Sequence, residues 1–71
     1  MDLRDYELHI REPGKPEVLI RLSIASIREA ERELQDELQK CERGAKGYVQ
    51  VLDISSREYR RKRKYLFREG V

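Results

Sequence analysis

At 71 residues, with 42% charged and 38% hydrophobic side chains and a formal net charge of +2, the chain has room for one small domain and none for a deep catalytic pocket. The single Cys41 excludes an internal disulfide and fits a reducing compartment, and the lack of any run of about 20 apolar residues excludes a membrane-spanning helix. Met1 is followed by Asp2-Leu3-Arg4-Asp5 rather than by an apolar leader, so a cytoplasmic protein is expected.

Tyr6, Leu8 and Ile10 alternate with Glu7 and His9, the period-2 signature of a half-buried strand. Glu12-Pro13-Gly14-Lys15-Pro16 interrupts it, and Pro-Gly suits the centre of a type II turn because proline presets φ and glycine accepts a positive one. Alternation resumes with Val18, Ile20 and Leu22 against Glu17, Arg21 and Ser23, with Leu19 as the one apolar residue on the outer side. This predicts an antiparallel hairpin whose second strand, opened by Pro16, lies at a sheet edge.

The period then lengthens: Ile27, Ala30, Leu34, Leu38 and Cys41 recur at spacings of three and four, which predicts an amphipathic helix. Ser26 and Glu29 form a capping box, Gly44 after Lys40 and Arg43 marks a C-terminal stop, and Arg32, Asp36 and Lys40 are spaced for surface ion pairs. Gly44 to Gly47 reads as a flexible joint, and Tyr48 to Ile54 as a third strand that is apolar on both faces. Placing that strand beside the first gives an antiparallel sheet ordered 2-1-3 with the helix across one face.

The last segment admits two readings. Ser55 and Glu58 offer a second capping box, Gly70 a second stop, and arginine and lysine favour a helix, giving ββαβα; Tyr59, Arg61, Arg63, Tyr65 and Phe67 also fit strand alternation, giving ββαββ with a turn at residues 54–57. The helix is preferred, although its apolar side has only Tyr59, Leu66 and Phe67. The expected fold is a single two-layer α+β domain over residues 1–71, with a three- or four-stranded antiparallel sheet and a basic element at 55–71.

Charge is divided unevenly. Residues 1–44 carry eight Lys or Arg against eleven Asp or Glu, whereas residues 45–71 carry eight against three, so an acidic scaffold is joined to a basic tail. Such asymmetry points to a polyanionic partner. Arg60-Arg61-Lys62-Arg63-Lys64, flanked by Tyr59 and Tyr65, combines cations for phosphates with rings for base stacking. Arg57, Tyr59, Arg60, Arg61, Lys62, Arg63, Lys64, Tyr65 and Arg68 are therefore the candidate nucleic-acid or partner-binding residues. The competing reading makes the cations a solvated face and the aromatics core.

His9 is expected as a hydrogen-bonded strand residue, and Cys41 as a structural thiol on the helix stripe. No ligand spacing supports a metal, and no nucleophile motif or phosphate-cradling loop supports catalysis. The acidic side chains from Glu29 to Glu37 read as solvated ion-pair partners. A non-enzymatic binding protein without a cofactor is expected.

The strand pair, the helix opening with Ser26 and Ala30, and the β run Gly47 to Leu52 after a glycine resemble the layout of small phage-encoded anti-CRISPR proteins of α+β type, over residues 17–54. The resemblance implies a non-enzymatic inhibitor docking on a nucleoprotein effector complex. Members of that class that mimic DNA are acidic, so the basic tail aligns the chain with members that touch both effector and DNA. Three functions follow: nucleic-acid binding through residues 57–68, an anti-CRISPR-like protein-interaction module, or a structural homodimer. For the last, strands two and three offer free edges, with Leu19 favouring burial.

Overall fold

A computed structural model describes residues 2–68 of the chain. The two alternating segments form β1 (Arg4–Arg11) and β2 (Val18–Ile24), followed by α1 (Ile27–Gln39), β3 (Lys46–Val51), a 3-10 turn at Arg57–Arg60 and β4 (Leu66–Phe67). All strand pairs are antiparallel and the sheet order is β2-β1-β3-β4, so β1 is central as expected. The hairpin turn is of type II: the Lys15 amide donates to Glu12 O at 3.2 Å, and Gly14 has φ +75.

Register fixes the two faces. Tyr6 pairs with Leu22 and Val51, Leu8 with Ile20 and Val49, and Ile10 with Val18 and Gly47, so these residues share the side on which α1 lies. Tyr6, Leu8, Ile10, Ala45 and Val51 meet Ala30, Leu34 and Leu38 in the core, with Ile27, Cys41 and Leu66 packed at its margin. Burying a leucine stabilises by about 1.5 to 3 kcal/mol, so Leu8, Leu34 and Leu38, together with the larger fully buried Tyr6, dominate this small core. The core is centred under β1 and β3, whereas no residue of β2 is fully buried.

Ser26 caps α1 by accepting from the Glu29 amide at 3.3 Å, and Glu29 reaches back to the Ala25 amide at 3.2 Å. The expected stop at Gly44 is not where the helix ends. It closes at Gln39, where the amides of Lys40 and Cys41 bond Glu37 O and Leu38 O and the Cys41 thiol donates to Glu37 O at 3.3 Å. Glu12 then captures the Glu42 amide at 3.1 Å, turning the chain away, and Gly44, with φ +89, serves a second turn closed by Ala45 N to Glu42 O. Lys40 pairs with Glu37 at 3.5 Å in place of Asp36.

Gly47 is not part of a flexible joint. It is a buried strand residue where a Cβ would stand 2.4 Å from His9 O and 2.9 Å from a Leu34 methyl, so only glycine lets β1, β3 and α1 approach this closely. β3 ends at Val51, earlier than expected, leaving Ile54 exposed.

The preferred C-terminal helix does not form. One 3-10 turn at Arg57–Arg60 is capped by Ser56 rather than Ser55, whose hydroxyl and amide are both held by Asp53. The physical reason is charge: a helix would stack Arg60 on Arg63 and Lys64, and Arg61 on Lys64, against a thin apolar side. The extended chain keeps residues 60–64 exposed and lets Leu66 reach the core margin. The alternative strand is realised only at Leu66–Phe67, paired with Gly47 and Lys46, a register that centres the connection on residues 56 and 57. The stop expected at Gly70 lies outside the described residues.

Candidate nucleic-acid interface

Among the described residues, no helix covers the face opposite α1. The register places Leu19, Arg21 and Ser23 of β2, Asp5, Glu7, His9 and Arg11 of β1, Lys46, Tyr48 and Gln50 of β3, and Phe67 of β4 on that side. Its centre is a row of rings running across the strands. His9 stacks on Tyr48 with centroids 4.5 Å apart and planes within 8°, and Tyr65 meets Tyr48 edge-on at 5.3 Å. The Arg63 guanidinium lies 4.6 Å from the Tyr48 centroid, and Lys46 Nζ lies 5.4 Å from that of Tyr65. Each such cation–ring contact is worth about 0.5 to 1 kcal/mol at an exposed position.

His9 is fixed at the inner end of the row. Its Nδ1 lies 2.8 Å from Glu17 Oε1 and its Nε2 2.9 Å from Glu7 Oε1, the second approach lying off the N–H direction. With its side chain 16% exposed, His9 is clasped by two carboxylates and presses its ring on Tyr48. The face is therefore polarised: Asp5, Glu7 and Glu17 outnumber Arg21 on the β1–β2 side, whereas Lys46 and Arg63, joined by Arg11 at the end of β1 where it pairs with Lys46, make the β3–β4 side basic. Between them a depression of about 230 Å³ is lined by His9, Arg11, Glu17, Tyr48, Arg63 and Tyr65.

The basic run forms an extended strap along β3. Arg63 and Tyr65 turn to the open face, whereas Lys64 turns towards α1, with Nζ 3.7 Å from Glu31 Oε2. Tyr59, Arg61 and Lys62 line a groove of about 290 Å³ between the strap, Ile27 and Val49. Arg60 is exposed on the 3-10 turn, Arg57 lies at the far end beside Arg4 and Asp53, and the Arg68 amide bonds Ala45 O at 2.9 Å. The strap is anchored at Glu58, whose Oε1 accepts from both the Tyr6 hydroxyl and Arg4 Nη1 at 3.0 Å. Burial, and then the Glu58 carboxylate, push the Tyr6 hydroxyl above its ordinary pKa.

Of the residues expected from sequence, the fold brings only Arg63 and Tyr65 to the ring row; Arg57 and Lys64 belong elsewhere. Sequence reasoning missed Lys46, Tyr48, His9 and Arg11 as partners of the run. A signal existed: His9 and Tyr48 occupy the polar phase of their strands, and the 2-1-3 order makes those strands neighbours. Among the described residues no group of three His, Cys, Asp or Glu is placed to hold a metal ion, and no helix is long and apolar enough to cross a membrane. No protein-family model, curated protein or solved structure matches the chain.

Proposed function

We propose that the chain is a non-enzymatic cytoplasmic binding protein that takes single-stranded nucleic acid on the β3–β4 half of its open face. One observation carries the reading: a row of rings, His9, Tyr48 and Tyr65, is interleaved with Arg63 and Lys46 on the one sheet face that no helix covers. Exposed rings beside cations suit a strand with unstacked bases, and base–aromatic stacking is worth about 1 to 3 kcal/mol per base. Tyr65 and Phe67, 44% and 59% exposed, are the rings offered to a base, since Tyr48 is already stacked by His9 and approached by Arg63. The carboxylates of Asp5, Glu7 and Glu17 repel phosphate, so the backbone is directed along β3 and the strap rather than across β1.

Arg11, Lys46 and Arg63 supply about three phosphate contacts, which predicts a salt slope near −2 and roughly a 20-fold loss of affinity between about 50 and 200 mM salt. Fluorescence anisotropy with a labelled single-stranded oligonucleotide measures this. Tyr65→Ala combined with Arg63→Gln is expected to weaken binding at least fivefold. Binding by this variant equal to the parent's overturns the reading. A parent with no affinity for the free strand that still forms a stable complex with a nucleoprotein effector favours the inhibitor reading instead.

A further inference from the structure

We infer that β2 is a self-association edge, pairing antiparallel with β2 of a second copy about a two-fold axis at Leu19. Among the described residues, no strand pairs with the outer edge of β2 along Val18–Ile24. Its apolar residues on the helix side, Val18, Ile20, Leu22 and Ile24, all stop short of full burial because α1 sits over β1 and β3. Val18 and Leu19 are 48% and 55% exposed, an arrangement that an edge strand ordinarily avoids. The opposite edge is unsuited: β4 is two residues long and continues from a run of cations that would face its own copy.

Charge decides both occupant and register. Residues directly opposite in an antiparallel pair share a face, with Cβ atoms about 5 Å apart. A two-fold axis at Leu19 sets Leu19 against Leu19 of the second copy on the open face, flanked by Glu17 against Arg21 on both sides. On the helix side the same register sets Val18 against Ile20 twice. An axis at Arg21 would oppose two arginines, and one at Ile20 would set Leu19 against Arg21. Arg21 is available, since its ion pair with Asp5 is 4.0 Å long and its side chain is 68% exposed. Glu17 engages His9 through Oε1 alone, leaving its other oxygen for the second copy. Pro16, with no amide hydrogen, ends the ladder one residue beyond Glu17.

Sedimentation velocity of the full chain from about 1 to about 500 μM tests the pairing, a range that brackets weak dimers. The parent is expected to dimerise. Arg21→Glu, which turns two attractive pairs repulsive, weakens the dimer about tenfold; Glu17→Arg with Arg21→Glu restores it, and Leu19→Lys abolishes it. Amide exchange of the parent at residues 17–21 slows as concentration rises, a readout independent of how any variant folds. A parent that stays monomeric throughout, or exchange at 17–21 that ignores concentration, overturns the proposal. So does an Arg21→Glu variant that dimerises as well as the parent. Tyr65→Ala combined with Arg63→Gln, which tests nucleic-acid binding, leaves the dimer unchanged, so the two proposals fail separately.

Discussion

Gly47→Ala is the sharpest test of how this fold closes. The added methyl would stand 2.4 Å from the backbone oxygen of His9, 1.0 Å inside the 3.4 Å at which ordinary contact begins, and 2.9 Å from a Leu34 methyl. The Leu34 side chain can rotate away, but His9 O belongs to the central strand and moves only if the sheet moves. Overpacking of this kind costs about 1 to 3 kcal/mol, and the backbone contact places the change at the upper end. A core this small supplies about 3 to 5 kcal/mol in all, so more than half the stability is at stake. Thermal unfolding followed by circular dichroism should show a loss of about 10 to 20 °C. Gly14→Ala is the control, because nothing lies within 4 Å there and only the positive φ is strained, at about 1 kcal/mol. Pairing Gly47→Ala with Leu34→Val should not recover the loss. An unfolding temperature for Gly47→Ala within about 2 °C of the parent would refute the close-approach argument.

Acid should loosen the seam between the hairpin turn and the end of α1. The Glu42 amide, and then Lys15, hold the Glu12 carboxyl below its ordinary 4.5, so this contribution is fully present above that value and is lost as pH falls through the lower folded value. Unfolding temperature measured from neutral pH down to about pH 3 should fall less steeply for Glu12→Gln than for the parent. Glu58→Ala should leave the buried Tyr6 hydroxyl without its acceptor at a cost of about 1 to 3 kcal/mol and free the strap, whereas Glu58→Gln, which keeps an oxygen, should lose less; chemical denaturation separates the two.

The sequence by itself determined the hairpin, the amphipathic helix, its Ser26 cap, the central place of β1 and the edge position of β2. The first three rest on contacts within a few residues or on a side-chain period, both written locally, whereas the sheet order followed from the strand-helix-strand connection rule and the edge from Pro16. Three features were decided only by tertiary structure. The path of the chain after α1 depends on Glu12 reaching across 30 residues to the Glu42 amide, and Gly47 is required by a backbone oxygen on another strand. The third is the course of the basic run. Its composition favoured a helix, but like-charge crowding opposed one, and anchors at Glu58 and Leu66, one tied to Tyr6 and the other to Gly47, drew it out along β3. That path separates Lys64 from Arg63 and sets Arg63 on Tyr48, so the candidate site became a sheet face shared by distant residues rather than the linear run of five cations.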